Sequence, residues 1–167
     1  MPAMIRPLVL ALLLAGCAAP EPVRIASFRP EGAPIWSAAA FAPARIEGEW
    51  RQVATFSAAE PGCRPGGAVF RREGEALTIQ ARLCLNGREV TASGPVTVSG
   101  PGRLTVPGMG EWWVIWVDSG YRTLAIATPR GDYGFVLDRG AISSDRLRAA
   151  AEIFDFNGYA KGNLRPF

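Results

Sequence analysis

Apolar and polar residues alternate with a period of two along Leu77–Leu85. Leu77, Ile79, Ala81, Leu83 and Leu85 fall on one face, and Thr78, Gln80, Arg82 and Cys84 on the other. That period predicts a strand with one buried face. Similar runs predict strands at 50–56, 68–72, 89–98, 104–106, 112–117, 124–127 and 133–137. In the first of these, Trp50, Gln52, Ala54 and Phe56 share a face, opposite Arg51, Val53 and Thr55. Turn residues separate the runs: Glu73-Gly74-Glu75, Asn86-Gly87, Pro101-Gly102, Pro107-Gly108-Met109-Gly110, Asp118-Ser119-Gly120 and Pro129-Arg130-Gly131-Asp132. Asn-Gly is the strongest hairpin signal among them. Residues 57–67 form a long loop, and Gly94-Pro95 predicts a bulge or break in the fourth strand. Eight antiparallel strands in simple sequence can close into an up-and-down barrel, whose interior holds side chains or one small ligand.

The period then changes. Leu147, Ala150, Ala151 and Phe154 recur at helical spacing, after Ser143 or Ser144 as a cap with Asp145 in the first turn, and Asn157-Gly158 ends the run. The stripe is too narrow for a membrane-surface helix and suits packing against a barrel wall. The 112–117 run is apolar on both faces, so it needs a cover on the outside, and this helix can supply it. The tail can add a short ninth strand through Tyr159. The predicted fold is therefore an all-β, eight-stranded antiparallel barrel with one helix packed outside.

Composition narrows the chemistry. The 167 residues suffice for one domain with a sizeable core, and 19 Gly and 14 Pro suit many short strands and turns. The net charge of +3 is small and scattered; Arg71-Arg72, the basic pair, points to opposite faces of its strand, so nucleic acid is not an expected partner. The chain has no histidine. That excludes His-based triads and removes the commonest metal ligand. The acid pairs Glu73/Glu75 and Asp132/Asp138 sit at turns or strand ends and read as solvated surface. No Gly-rich phosphate loop follows a strand and opens a helix. No enzyme activity, metal or cofactor is expected.

The first residues, MPAMIRPLVLALLLAGC, combine Arg6, an apolar run from Leu8 to Ala15 too short to span a bilayer, and Leu14-Ala15-Gly16-Cys17. That tetrapeptide resembles the lipobox of bacterial lipoproteins. The resemblance implies a signal peptide over 1–16, cleavage before Cys17, acylation of its thiol, and a domain held at the cell envelope; Ala18 after the cysteine favours the outer membrane and a periplasm-facing domain. The competing reading is an ordinary secretory signal with an incidental cysteine. Residues 17–44 are rich in Ala and Pro and read as a linker, then a coil across the barrel floor, with the barrel and helix over 45–167. At about 3.1 Å per residue such a linker reaches up to about 80 Å from the membrane. Ile35, Trp36 and Phe41 are expected to pack under the closed end; the sharper alternative has Trp36 plugging a ligand path. With Cys17 acylated, Cys63 and Cys84 are left as a pair, which in the periplasm is expected to bridge on the outside of the barrel; a free reactive pair is the alternative.

Three short motifs occur in order: Gly48-Glu49-Trp50 (G-x-W), Asp118 and Tyr121 (D-x-x-Y), and Leu137-Asp138-Arg139 (L-x-R). Together, with strands between and a helix after, they resemble the three signature regions of the lipocalins, and the likeness is to the bacterial lipoprotein type over roughly residues 35–159. It implies that Trp50 closes the narrow end of the barrel and that Arg139 packs across its indole as a structural clamp. Arg51 replaces the family's usual aromatic after the Trp.

The expected function is binding of a small hydrophobic ligand, a fatty acid or lysophospholipid, for lipid storage, transport or envelope maintenance. The candidate lining is Phe56, Phe70, Ile79, Ala81, Leu83, Val96, Val98, Leu104, Val106, Trp112 and Trp116. Face assignment across residues 88–107 is open, as is the oligomeric state. The alternative is a structural envelope lipoprotein whose barrel is filled by its own side chains.

Overall fold

The structure, a computed structural model, describes residues 27–167; the signal segment and Cys17 lie outside the described residues. The strands are β1 (Gly48–Phe56), β2 (Gly67–Glu73), β3 (Ala76–Leu85), β4 (Arg88–Gly100), β5 (Arg103–Val106), β6 (Gly110–Val117), β7 (Thr123–Ala127), β8 (Gly134–Asp138) and β9 (Leu164–Pro166), with one α-helix, α1 (Ser144–Phe156), after β8. Each of β2 to β8 pairs antiparallel with its neighbour in sequence, and β1 pairs with both β2 and β8. The eight-stranded meander thus closes on itself. The ninth strand is short and pairs with the end of β1 outside the closed ring. It begins at Leu164, beyond Tyr159, whose ring is instead buried beside the helix.

The core has two compartments. Inside the barrel, Trp50, Phe70, Ile79, Leu83, Leu104, Trp112, Leu124, Ile126, Phe135 and their neighbours form one buried cluster. Outside, Ala125, Ala127 and Val136 turn their backs to that cluster and meet Ala150 and Phe154 of α1. Both faces of β7 and β8 are therefore fully buried, which explains the apolar runs 124–127 and 134–137. The polar ends Thr123 and Asp138 are buried too and bond each other, with Arg146 on Asp138, so Asp138 is not the solvated surface residue expected. Ser143 caps α1: its hydroxyl accepts from the Arg146 N–H.

Three strands depart from strict alternation. In β1, Gln52 pairs with Leu137 and Ala54 with Val136, so two residues oppose one and the pleat shifts. Ala54 and Phe56 consequently face the helix, not the lumen. In β6 the same occurs between Val114 and Trp116. Ile115 and Trp116 both join the outer cluster. The expected break at Gly94-Pro95 is absent: β4 runs on through Ile79↔Gly94 and Thr78↔Pro95 in continuous register with β3. Its irregularity lies at Val98–Gly100 instead. Pro95 is tolerated because β4 pairs with β5 only from Thr97 onward, so its missing N–H can face an edge that has no partner.

The N-terminal coil does more than cross the floor. It starts beside the β7–β8 turn at the open end, where the Phe28 N–H donates to the Gly131 carbonyl, and descends past the end of α1. Phe41 then enters the inner core under the closed end. Ile35 stays on the outer cluster, and Trp36 is 52% exposed, so neither packs under the floor and the indole plugs nothing.

Candidate ligand-binding site

The closed end is built from the three motifs. Trp50 is buried, and its Nε1–H donates to the Ile46 carbonyl at 2.7 Å. The Arg139 guanidinium lies 4.2 Å from the Trp50 ring centroid. Its nitrogens donate to the carbonyls of Tyr121, Arg45 and Glu47 at 2.9–3.0 Å, tying a turn and the coil together. The outer edge of Arg139 is in water; it does not extend the buried row of β8. Gly48 has φ +109°, and a Cβ there would stand 2.9 Å from the Arg139 Nη1, so the glycine makes room for the clamp. Asp118 organises the turn opposite: its Oδ1 accepts from the N–H groups of Arg122 and Thr123, and its Oδ2 from that of Gly120. That turn holds Tyr121 at φ +53°. The Tyr121 hydroxyl accepts from the Ala42 N–H, Phe41 stacks on its ring and the Arg45 guanidinium lies 3.8 Å from the ring centroid. These five signature residues are thus a structural floor.

The wall between is apolar. Phe70, Ile79, Ala81, Leu83, Leu104, Val106 and Trp112 all lie in the inner cluster, with Val96. Phe56 and Trp116 do not; the two bulges turn them outward onto the helix side. Val98 has inward parity, since it pairs with Leu104, but is 49% exposed at the closed-end rim and lines nothing enclosed. One inward row across β2, β3 and β4 is small throughout, Ala68, Ala81 and Ala92, and Gly94 stands beside Ile79 in the next row. The opposite wall carries the bulk, Trp112 and Phe135, in edge-to-face contact at 5.0 Å.

The open end is bridged. Trp112 Nε1–H donates to the Tyr133 hydroxyl, which donates to the Met109 carbonyl at 2.6 Å. Burial pushes the Tyr133 phenol far above its usual range, although the Trp112 bond pulls the other way. Asn86, in the β3–β4 turn, donates to the Asp132 carbonyl in the β7–β8 turn across the mouth. Beside this lid the wall is low: from Arg88 to Val96 β4 is paired with β3 but has no partner on its β5 side, and the inward-facing Val90, with Met109 and Tyr133, is only partly buried. Three open hollows of about 500, 450 and 510 Å³ occupy the outer surface, over β2–β4, beside the Glu60–Arg64 loop, and at the coil entry around Ser27–Pro30. None of the three is an enclosed lumen.

A second feature escaped the sequence reading. At the mouth end β1 and β3 approach each other where β2 has not yet begun, and Gln52 spans the seam. Its Nε2–H donates to the Cys84 carbonyl and its Oε1 accepts from the Cys84 N–H, both at 2.8 Å. The side-chain amide thus imitates a strand peptide. Gly66 permits the approach, since a Cβ there would overlap the Arg82 carbonyl oxygen at 1.6 Å. The Cys63–Cys84 disulfide clips the long loop over the same seam, outside the lumen, and Cys84 is fully buried beneath it. Nothing in the spacing of a lone Gln among apolar neighbours signalled this role, although an uncharged amide on an inward face is itself a request for partners.

No protein-family model matches the chain, and no curated protein matches its sequence. Solved structures do match in shape. Insecticyanin from the tobacco hornworm Manduca sexta is similar with a TM-score of 0.60 at 12% identity, covering 84% of this chain and 85% of that one. The cockroach allergen Per a 4 gives 0.59 at 10% identity, covering 80% and 92%, and lobster apocrustacyanin A1 gives 0.50 at 12%, covering 72% and 76%. These neighbours are lipocalins. The closed eight-stranded antiparallel barrel, with one strand and one helix outside it, is the lipocalin fold.

Proposed function

We propose that this domain binds a slim hydrophobic chain, the acyl tail of a fatty acid or lysophospholipid, while acylated Cys17 holds it at the envelope of a bacterial cell, where it serves lipid storage, transport or envelope maintenance. The single observation that carries this reading is the low wall beside upper β4. There, small inward residues (Ala81, Ala92, Gly94) face the bulky side, and the partly buried Val90, Met109 and Tyr133 form a side entrance. An apolar lining with one polar group at its rim suits a tail with a head group outside. Entry requires Met109 and the Tyr133 ring to swing aside; methionine, unbranched and adaptable, suits a gate.

A second reading has an observation of its own. Trp112, Phe70 and Phe135 are fully buried and hydrogen bonds cross the mouth, which favours a barrel filled by its own residues and a purely structural envelope lipoprotein. Mass spectrometry of a lipid extract from natively purified protein separates the two. Stoichiometric acyl lipid, together with quenching of tryptophan by a fluorescent fatty acid, is the result expected of a binder. Absence of lipid and of quenching across fatty acids and lysophospholipids returns the structural reading.

A further inference from the structure

We propose that the open end of the barrel is held against the bilayer that anchors the chain, with Trp36 and Phe156 seated in the lipid–water interface. The inference rests on the Cys17 tether of the preceding section.

The first ground is where the chain enters the fold. The Ser27 hydroxyl donates to the Arg130 carbonyl, the Phe28 N–H to the Gly131 carbonyl, and the Phe28 carbonyl accepts from the Ala160 N–H. Arg29, only 5% exposed, donates to the carbonyls of Asn157, Pro129, Ala33 and Pro34. A cation at the carbonyl end of α1 is also favoured by the helix dipole. The entry point is therefore nailed to the β7–β8 turn, on the mouth side. Nine residues, Ala18 to Ala26, separate it from the acylated position. Fully extended they span at most about 35 Å, so the lipid anchor stays within reach of the mouth.

The second ground is what that end displays. Trp36 and Phe156 are 52% and 69% exposed, with ring centroids 5.3 Å apart. The Trp36 N–H donates to the Asn157 side chain at the end of α1. That end lies toward the mouth, because Tyr159, just beyond it, accepts from the Thr128 N–H where β7 ends. A paired indole and phenyl left in water is costly, and the head-group region of a bilayer is where an indole is best accommodated. At the opposite end Val98 is exposed by itself, which calls for no partner.

The test uses the full acylated protein in vesicles whose lipids carry bromine near the top of the acyl chains. Trp36 is the most exposed of the five tryptophans, Trp50 and Trp112 being buried and Trp113 and Trp116 half-buried, so bromine within the bilayer is expected to quench Trp36 above all. Most of the quenched signal is expected to vanish in Trp36→Phe and to weaken in Phe156→Ser, both surface changes that leave the fold intact. Protein that floats with the vesicles yet shows no quenching, or the same quenching in Trp36→Phe, overturns the docking and leaves the tether standing. Protein that does not float overturns the tether and the docking with it. A Trp36 emission that shifts to the blue with protein concentration in detergent assigns the aromatic pair to a second copy and also overturns the proposal.

Discussion

Tyr133 and Tyr159 are the side chains whose chemistry depends most on where the fold has put them. Tyr159 is buried, and its hydroxyl donates to the carbonyls of Thr128 and Tyr133; burial raises its pKa as it raises that of Tyr133. A phenol in the unfolded chain ionises near pH 10, whereas both folded phenols hold their protons beyond it. The folded state then binds more protons than the unfolded one above about pH 10. The stability these groups supply is complete below that value and declines as the pH climbs toward their folded pKa values. Thermal unfolding followed from pH 8 to 12 is expected to show a Tm that falls above about pH 10, with a shallower fall in Tyr133→Phe. A slope unchanged by that substitution contradicts the assignment.

At the scale of elements, α1 is attached at its start by the Arg146 ion pair to buried Asp138 and at its end by an aromatic knot. Phe154 meets Phe56 at 4.7 Å and Tyr159 at 5.2 Å between ring centroids, above Gly134. Phe154→Ala leaves a cavity among fully buried neighbours and is expected to cost about 3–5 kcal/mol in urea unfolding. A loss below about 1 kcal/mol, the size of a surface change, means that the helix is not integral to the barrel. This knot also shows what the sequence could reveal. The strands, their order and the helix were legible because alternation, Asn86-Gly87 and the Ser143 cap are local signals. The side on which Phe56 and Trp116 lie was not. Each bulge sets two residues against one, and which strand yields is decided only when the ring closes. The run from Trp112 to Val117 has no polar residue to mark its pleat, so counting by twos carried both aromatics to the wrong face. Trp36 was misplaced for a related reason: apolarity says that a side chain seeks cover, not which surface provides it.

For the molecule as a whole, the floor was readable and the lid was not. Arg139 lies over Trp50 as the motif resemblance implied and also bonds the Tyr121 carbonyl, through contacts between residues far apart in the chain, while Asp118 acts locally on the turn that holds Tyr121. The lid is made by the Tyr133 hydroxyl on a backbone carbonyl and by Asn86 reaching across to another, and backbone acceptors leave no trace in residue identity. The coil is likewise fixed earlier than composition suggested, because Arg29 fastens it from residue 27 onward by saturating carbonyls instead of pairing with a carboxylate.

The seam spanned by Gln52 makes the integrity of the cylinder depend, over one stretch, mainly on a carboxamide, with the Thr55 hydroxyl adding one further bond to the Cys84 carbonyl. A complete ring offers neighbouring molecules no raw margin to stitch onto. Remove that amide and two margins come free at once, each with unpaired donors and acceptors and apolar flanks. Gln52→Ala is therefore expected to turn a self-contained molecule into a sociable one, seen as growing light scattering on incubation well below the melting temperature, while a variant that stays clear and unassociated shows that the disulfide and the Thr55 bond suffice to keep the can shut.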